Sequence, residues 1–364
     1  MLTSTTTYKQ AITRPHHRHF RVDLYQGTTL ENDTLLAQDV PIFGGQINAN
    51  LAQRVTRSGT FDLGAEWYPL LADDPLSPYQ TVARISAGIR YGDGSTELFP
   101  IITGRTGTAQ RNEDGTCSVR VEDLAADVVG FEFEQPRNSE NVSVVNQIRR
   151  LISEAVDGAA FGPDDVTDTA TPRLTWDQSR GDALDTLSSA VSGRWFTLGS
   201  GSFVVRELPY DVGTAVQQIV DGPGGLLLAG RPSVTRDGAA NSVTVVVERA
   251  DGGVPFRVTA RDTTAGSPTQ FGGPFGRVTK LVKVQTPLTN GQAQAYARAL
   301  LNASTALASQ WSVSCVADYT LEPQDTVLLR SRGVQGTQVI DSITYPLDDS
   351  PMSIGTRSYV RTNL

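Results

Sequence analysis

The feature that most constrains the fold is a seven-residue pattern that occurs twice, as LSPYQTV at residues 76–82 and as LEPQDTV at residues 321–327. The two copies share a leucine, a proline, a threonine and a valine at the same positions. The residue before a proline is held extended, and proline cannot donate to a strand ladder, so the pattern suits a chain that enters the edge of a sheet. Each copy leads into a valine-containing strand and a glycine-containing turn, and a later strand ends in an Ile-Thr pair, in FPIITG and in VIDSITY.

This repetition predicts two similar antiparallel β-barrels or sandwiches, although two unrelated hairpins with common turn chemistry would produce the same pattern. Strand signals dominate around both copies. From Ala83 to Tyr91, apolar residues alternate with Arg, Ser and Gly, which is typical of a half-buried strand. The returning strand contains Pro100, which is tolerable only at an edge or a bulge. Later, SVTVVVERADGG and VPFRVTARD are predicted to form a hairpin.

Three segments place apolar residues at helical spacing, which indicates amphipathic helices. The first lies in VSVVNQIRRLISEAV, the second starts at about Arg180 in GDALDTLSSAVSGRW, and the third lies in GQAQAYARALLNASTAL. The residues expected on the buried stripes are Val144 or Val145, Ile148, Leu151, Ile152 and Val156; then Ala183, Leu184, Leu187, Ala190 and Val191; then Tyr296, Leu300, Ala303 and Leu307.

The first two helices lie next to an aromatic strand, a GSGS turn and the strand FVVREL, so they predict a small α+β unit. The predicted fold is therefore mainly β with an α+β insert between two similar antiparallel β-barrels. We expect residues 1–140 to form the first β-barrel domain, 141–215 the α+β insert, and 216–364 the second β-barrel domain with one helix.

Charge and hydropathy limit the possible partners. The chain has 31 Lys and Arg against 39 Asp and Glu, for a formal net charge of −8. Proteins that hold nucleic acid by its phosphates cluster Lys and Arg on one face, so no specific nucleic-acid binding is predicted. The sequence contains no run of about 18 apolar residues, which a membrane helix requires. MLTSTTTYKQAITRPHHRHF, at the start of the sequence, lacks the apolar core of a secretory signal.

Few residues are arranged for chemistry. All three histidines, His16, His17 and His19, lie in one HHRH segment, with no cysteine or further histidine to complete a tetrahedral metal site. A nucleophilic triad would have to take its base from this one cluster. Cys117 and Cys315 are the only cysteines, so we expect two small buried hydrophobic residues in a protein made in a reducing cytoplasm. No catalytic, cofactor or metal site is predicted.

Three weaker patterns fit ordinary structural roles. FGGPFGRVTK carries Arg277 and Lys280 but lacks the strand and helix that flank a phosphate-binding loop. Trp67 and Tyr68 beside Tyr79 are the one candidate for a carbohydrate-binding face, although we expect Trp67 to pack at a strand end. Paired acids could serve glycoside hydrolysis, which needs two carboxylates at a set distance, but in a chain with 39 acidic residues such pairs are expected in turns. The pairs are Asp73-Asp74, Asp164-Asp165 and Asp348-Asp349.

Three passages carry a family resemblance. They are RPHHRHFRVDLYQG with GGQINANLAQRVTRSGTFDLG; RGDALDTLSSAVSGRWFTLGSGSFVVRELP; and WSVSCVADYTLEPQDTVLLRSRGVQGTQVIDSITYPLDDSPMSIGTRS. In this order they resemble the baseplate hub or tail-tip proteins of tailed bacteriophages, especially minor tail proteins of actinobacterial siphoviruses. The resemblance extends more distantly to the hub part of type VI secretion spikes. The motifs are patterns of strands and turns rather than catalytic signatures.

The resemblance implies a virion structural protein of the tail tip, made in the bacterial host cytoplasm and without enzyme activity or cofactor. It implies a homotrimer whose six barrels form a near-sixfold ring with a channel for DNA. Such a ring would join the hexameric tail tube or distal tail protein to a threefold tip, because three chains with two barrels each mimic six subunits. The tape measure protein and tip or fibre proteins are the other implied partners.

Two other functions remain as alternatives, a tail-associated cell-wall hydrolase and a carbohydrate-binding adhesin. Some hubs carry a fused lysozyme, peptidase or spike domain, and nothing of that kind follows in the sequence, so we expect other tail proteins to supply those activities. Interfaces are expected at edge strands, for which Ser242–Val247 and Thr326–Arg330 are the candidates.

Overall fold

The structure, a computed structural model, describes residues 1–27, 33–171, 173–207, 213–234, 236, 238–248, 254–284, 288–306 and 309–357. The described residues form twenty strands and five α-helices, most of them in antiparallel sheets. The predicted fold class, mainly β with an α+β unit between two similar antiparallel β parts, is confirmed.

The first β part, which we call module 1, is an antiparallel sheet preceded by a short helix. Its elements in chain order are α1 (Thr6–Ala11), β1 (His17–Gln26), β2 (Thr34–Pro41), β3 (Gly44–Asn50), β4 (Arg57–Gly64) with a 3-10 turn at Ala65–Trp67, β5 (Thr81–Arg90), β6 (Thr96–Arg111) and β7 (Thr116–Asp123). The strands lie in the order β2-β1-β5-β6-β7-β4-β3. The predicted alternation holds in β5, where Ala83, Ile85, Ala87 and Ile89 are all buried in the main core. Pro100 lies in β6 at a bulge, as the sequence predicted.

The α+β unit follows module 1. Its elements are α2 (Ala125–Gly130), β8 (Arg137–Asn138), α3 (Val144–Ala155), β9 (Thr175–Trp176), α4 (Arg180–Ala190), β10 (Gly193–Thr197) and β11 (Phe203–Glu207). The buried faces of α3 and α4 contain the residues that helical spacing predicted. Helix α4 begins after Ser179, whose hydroxyl accepts the backbone N–H of Asp182 and so satisfies a free donor of the first turn. Strands β10 and β11 form an antiparallel hairpin.

Most of the remaining strands build the second β part. The elements in chain order are β12 (Gln217–Val220), β13 (Leu227–Val234), β14 (Ser242–Val247), β15 (Phe256–Arg261), β16 (Thr279–Val284), α5 (Asn290–Ala306), β17 (Ser309–Cys315), β18 (Thr326–Ser331), β19 (Val334–Pro346) and β20 (Met352–Arg357). We call the strands β13-β17-β20-β19-β18-β12, in this spatial order, module 2. All its ladders are antiparallel except that between β12 and β18. Strands β14 and β15 form the predicted hairpin, and β16 pairs with β14 in parallel.

The hydrophobic core of the α+β unit is built from two excursions of the chain. One runs from module 1 through β11, and the other, β14–β16 with α5, leaves module 2 between β13 and β17. Buried residues of both excursions belong to one hydrophobic cluster. The predicted domain boundaries stay a prediction, but this cluster takes residues from both the 141–215 and the 216–364 range.

The buried stripe of α5 differs from the predicted one by about one residue. The most buried positions are Ala293, Ala297, Leu301 and Ser304, whereas Tyr296, Leu300 and Ala303 are half-buried. Leu307 lies outside the described residues. The reason is that alanine lines several faces of this helix, so spacing alone does not single out one apolar stripe.

The two heptads occupy similar places in the two modules. LSPYQTV ends in the first two residues of β5, and LEPQDTV ends in the first two residues of β18. Each of these strands opens a three-stranded antiparallel meander, β5-β6-β7 in module 1 and β18-β19-β20 in module 2. The repeated entrance therefore marks a repeated supersecondary unit.

The match between the two copies is incomplete in two details, and the second concerns the predicted Ile-Thr pairs. Ala83 and Ile85 face the main core from β5, but Val327 and Leu329 face it from β18, so the inward faces are offset by one residue relative to the heptads. The Ile-Thr pairs are not equivalent either, because Ile102 pairs with β5 whereas the pair in β19 lies beyond the end of β18. Short sequence matches do not define register, which the core-facing side chains and the bulges set.

Candidate interaction surfaces

Among the described residues, the strands of modules 1 and 2 pair at one seam, the antiparallel ladder of β3 with β19. The register places Ile343 opposite Ala49, and both side chains are buried. On the opposite face, Thr344 Oγ1 donates to Asn48 Oδ1 over 2.8 Å. Apolar packing on one face and a polar pair on the other fix this register, since a one-residue slip would exchange the two faces. The seam makes the strands of both modules one continuous sheet.

A buried arginine lies next to this seam. Arg57 begins β4 opposite Ala49, and its side chain is only 1% exposed. Its Nη2 forms an ion pair with Glu322, and its Nη1 donates to the carbonyl of Ile101 over 2.7 Å. Its Nε lies 3.5 Å from the carbonyl oxygen of Thr197. A buried cation is tolerated only when it is paired and hydrogen-bonded, and here the partners come from module 1, the segment before β18 of module 2 and the α+β unit.

The carboxylate of Asp123 completes this junction from the end of β7. It accepts hydrogen bonds from the backbone N–H of Arg57 (2.7 Å), the backbone N–H of Ala125 (3.1 Å) and the hydroxyl of Thr197. Burial raises the pKa of Asp123 to about 6, although these donors and the Arg57 cation favour the ionised form. Asp123 thus ties module 1 to the first helix and the aromatic hairpin of the α+β unit.

Two acids of the second heptad face the same junction. Burial raises the pKa of Glu322, and the neighbouring Arg57 cation counteracts this rise. Burial also raises the pKa of Asp325, which forms an ion pair with the ammonium group of Met1. Sequence reasoning missed this network. The available signal was inside the repeat, where Ser77 and Gln80 of the first copy are replaced by acids in the second.

Open strand edges are the sites where another chain could add to the sheet. In the described part of the chain, β2, β13 and β12 end the long sheet, and each has a ladder partner on one side only. Strand β6 extends past the start of β5, so its segment Ala109–Arg111 has β7 as its one ladder partner among the described residues. Gln110 and Arg111 are exposed.

The two edge strands predicted from the sequence are not edges. Ser242–Val247, which is β14, lies between β15 and β16. Thr326–Arg330, in β18, lies between β12 and β19. In both cases the unpredicted neighbour is a parallel strand that is not adjacent in the sequence, and its short sequence, QQIV or TKLVKV, is half polar. The sequence of a strand does not indicate which strand from another part of the chain pairs with it.

The histidine segment has structural contacts. His17 and His19 lie in β1 on either side of Arg18, whose Nη1 donates to the carbonyls of Asp348 (2.8 Å) and Ser350 (2.6 Å). His16 Nδ1 lies 2.8 Å from the carbonyl oxygen of Arg14. Among the described residues, no three His, Cys, Asp or Glu side chains are grouped so that they could hold a metal ion.

Asp73-Asp74 and Asp348-Asp349 lie in turns, as expected, whereas Asp164-Asp165 lies in an extended loop segment. Asp164 accepts the backbone N–H of Val205 over 2.7 Å and pairs with Arg149. Asp348 accepts the backbone N–H of Ser350 over 2.8 Å. Asp74 accepts two backbone N–H groups in the loop between the 3-10 turn and β5. These carboxylates are therefore engaged in local structure.

The other sequence candidates also have structural surroundings. Trp67 is partly buried against the main core, as predicted. In the FGGPFG loop, Phe271 stacks with the guanidinium of Arg277, 5.8 Å from its ring centre, and its backbone N–H donates to the carbonyl of Asp262 over 2.7 Å. Cys117 and Cys315 are both buried free thiols, as expected.

The loop between the 3-10 turn and β5 exposes apolar side chains. Leu70 is 82% exposed, Leu71 is 65% exposed and Tyr79 is 83% exposed. The carboxylate of Asp74 accepts the backbone N–H groups of Leu70 (2.6 Å) and Leu71 (2.8 Å), so the loop has a defined shape. Exposed apolar residues on an ordered loop are typical of a protein–protein contact.

None of the described helices has the length and apolar character needed to cross a membrane.

Comparisons with known proteins place this fold among tail proteins. No protein-family model and no curated protein matches the sequence. A tail protein from Neisseria meningitidis superimposes with a TM-score of 0.64 at 13% identity, over 93% of this chain and 97% of that one. The 43 kDa tail protein of prophage MuSo2 from Shewanella oneidensis gives a TM-score of 0.61 at 14% identity, over 93% and 98% of the two chains.

A third similar structure belongs to a secretion machine. It is an E. coli component of the type VI secretion system that is described as structurally similar to the phage T4 tail proteins gp27 and gp5. The TM-score is 0.50 at 10% identity, over 88% of this chain and 74% of that one. The chain therefore has the fold of phage tail and type VI spike proteins, as the sequence resemblance implied.

Proposed function

We propose that this chain is a non-enzymatic structural protein of a phage tail tip, located in the virion and assembled as a homotrimer. The observation that carries the proposal is the presence of two like β modules in one chain whose fold is shared with tail proteins. Three chains would present six modules in a near-sixfold ring. Such a ring fits a hexameric tail tube or distal tail protein on one face and a threefold tip on the other.

The proposed ring leaves a central channel for DNA, with the tape measure protein and tip or fibre proteins as further partners. The net charge of −8 supports passage of DNA without adhesion, because like charges repel. No specific nucleic-acid contact is part of the proposal. The ordered loop with Leu70, Leu71 and Tyr79 supports a protein contact on the outside of module 1.

The proposal assigns no catalytic residue, metal or cofactor to this chain. Its support is that the candidate groups have structural partners, since Asp164 binds the backbone of β11 and Asp74 holds a loop. The histidines lie with Arg18, which binds two backbone carbonyls of the 348–350 turn. No contact in the described structure specifically favours the hydrolase or adhesin alternative.

Stoichiometry tests the proposed role most sharply. The chain should be coexpressed with the tail tube or distal tail protein of the same virus, and the complex should be weighed by native mass spectrometry. The proposal expects three copies of this chain on six copies of the partner. The tube protein of an unrelated phage serves as the control and should not bind. A complex with equal copy numbers, or no complex with either partner, would contradict the proposal.

A further inference from the structure

Modules 1 and 2 correspond strand by strand. The meander β5-β6-β7 is followed in space by β4 and then β3, and the meander β18-β19-β20 is followed by β17 and then β13. All of these ladders are antiparallel. In this correspondence, β6 takes the place of β19, and β13 takes the place of β3.

A shared bulge sets the register of the correspondence. Strand β6 has one extra residue relative to β7 between Thr106 and Ala109, and β19 has one extra residue relative to β20 between Ile340 and Ser342. Past the bulges, the first inward-facing pairs are Ala109 with Val119 and Ile343 with Ile354. We therefore equate Ala109 with Ile343.

The outer strands agree with this register. Val119 lies opposite Phe61, which lies opposite Gly45 in β3. The equivalent path in module 2 leads from Ile354 to Val313 and then to Gly230 in β13. A glycine thus occupies the same position in both outer strands. Three residues after that glycine in each outer strand, Asn48 of β3 corresponds to Ser233 of β13.

The seam inside the chain uses one half of this duplicated arrangement. Strand β3 of module 1 pairs with the part of β19 that lies past its bulge. The equivalent partners in the other half are β13 and the end of β6 past its bulge. Within the described residues, both have an open edge, as shown above. One chain therefore has two edges of the β3 type, in β3 and β13, and two of the β19 type, in β19 and β6. One edge of each type is paired in the internal seam, and the other of each type is open in the described structure.

We propose that β13 of one copy pairs antiparallel with the Ala109–Arg111 segment of β6 in the next copy. This inference rests on the proposed trimeric ring, and it specifies how the ring closes. The register transferred from the β3–β19 seam places Gln110 opposite Ser233 and Arg111 opposite Pro232. The heterologous contact closes after three copies, as a cyclic assembly requires.

The side chains are compatible with this pairing. The polar pair of the internal seam, a threonine hydroxyl with an asparagine amide, becomes the amide of Gln110 with the hydroxyl of Ser233. Arg231 falls opposite Asn112, next to the acidic side chain of Glu113, so opposite charges approach each other. Pro232 lacks a backbone N–H, so the ladder between chains has fewer possible hydrogen bonds than the internal one. The contact between chains is therefore the weaker seam of the ring.

Disulfide trapping tests the pairing. In the double variant Gln110→Cys with Ser233→Cys, mild oxidation should link neighbouring chains, because opposed strand positions have the Cα separation that a disulfide needs. Nonreducing gels should show covalent dimer and trimer in place of most of the monomer. The two native cysteines are buried, so each single variant should stay largely monomeric on the gel.

Two further pairs control the experiment. Asn48→Cys with Thr344→Cys should form a disulfide within one chain and leave the mass on the gel unchanged. Gln110→Cys with Leu35→Cys places the second thiol on the open edge strand β2 and should give no defined product. Equal linking of this last pair would overturn the inference, because it would show random collision.

The outcomes separate the inference from the proposed function. A trimer by light scattering that gives no linked product from the Gln110 and Ser233 pair would overturn the strand pairing and leave the ring intact. A monomer by light scattering at micromolar concentration, with no linked product, would overturn both. Trimer together with linked dimer and trimer supports both.

Discussion

Arg57 connects three parts of the chain with one side chain. A buried ion pair is not by itself strongly stabilising, because desolvation of both ions offsets most of their attraction. Removal of one member is nevertheless costly, since the other charge is left buried without a partner. Glu322 and the carbonyl of Ile101 would lose their donor in this way. The network thus fixes how the modules and the α+β unit fit together.

Replacement of Arg57 should therefore destabilise the fold much more than replacement of an exposed arginine. We expect Arg57→Met to lower the free energy of unfolding by about 3 to 5 kcal/mol. Arg120→Met is the matched control, because Arg120 pairs with Glu122 on the surface, where such pairs contribute at most about 1 kcal/mol. Urea denaturation followed by circular dichroism measures both. Equal losses for the two variants would contradict the structural role of the buried pair.

The raised pKa of Asp123 predicts a pH dependence. An acid with a folded-state pKa of about 6, above its usual value of 3.8, binds more protons in the folded state between these values. Its contribution to stability is therefore present below about pH 4 and is lost as the pH rises through about 6, with a slope of at most about 1.4 kcal/mol per pH unit. Asp123→Asn removes this slope.

The measurement is the free energy of unfolding at several pH values between 4 and 7 for both proteins. Other carboxylates contribute to both curves, so the difference between the curves reports Asp123 alone. The wild-type protein should lose stability relative to the Asn variant as the pH rises across this range. Parallel curves would show that Asp123 titrates normally.

The buried network also shows what sequence reasoning reaches at this scale. Arg57 and Glu322 are 265 positions apart, and neither has a local pattern that marks it as buried. The sequence indicated only that acids replace neutral residues in the second heptad. That contrast became informative once the fold showed that each heptad leads into the first strand of an equivalent meander.

Among the secondary-structure elements, the β10-β11 hairpin shows how the α+β unit attaches to module 1. Its glycine turn lies against β6 near the bulge at Pro100, where Thr103 Oγ1 donates to the carbonyl of Gly199 over 3.1 Å. A Cβ on Gly199 would lie 2.3 Å from the carbonyl oxygen of Pro100. The GSGS sequence is therefore needed for close backbone approach as well as for the turn.

Gly199→Ala should consequently disturb the docking of the hairpin. We expect a loss of about 1 to 3 kcal/mol in the free energy of unfolding, which is typical of an added methyl group in a packed site. Gly92→Ala is the control, because a Cβ on Gly92 meets no atom within 4 Å. Thermal unfolding of the two variants decides the matter, and an equally stable Gly199→Ala protein would mean that the turn does not rest on β6.

Sequence reasoning at the level of elements succeeded where the pattern is local. The apolar spacing of α3 and α4 and the alternation in β5 reflect faces that each element buries by itself. It failed for β14 and β18, because the parallel strands that cover them are not adjacent in the sequence. For α5, the many alanines hid the true stripe. The hydrophobic period of a helix or strand depends on its own short segment, whereas the strands that pair with it depend on the whole sheet.

At the scale of the whole molecule, the two modules form one sheet but leave complementary edges open. In the internal seam, β3 of module 1 pairs with β19 of module 2. In the proposed ring, repetition of that contact between chains would alternate modules 1 and 2. The proposed arrangement would give a reason for a chain to duplicate a module instead of forming a larger one. A structural duplication can match a sixfold partner while the chain itself obeys threefold symmetry.

The most direct test of this account is an electron-microscopy reconstruction of the purified protein, calculated without imposed symmetry. We predict particles of three chains, each of 39.1 kDa, that show a threefold axis. Six similar lobes should surround a central channel at the same radius, spaced about 60° apart, with modules 1 and 2 alternating. A monomer, or a trimer in which the two modules lie at different radii, would contradict the claim that the duplicated β module builds a near-sixfold ring.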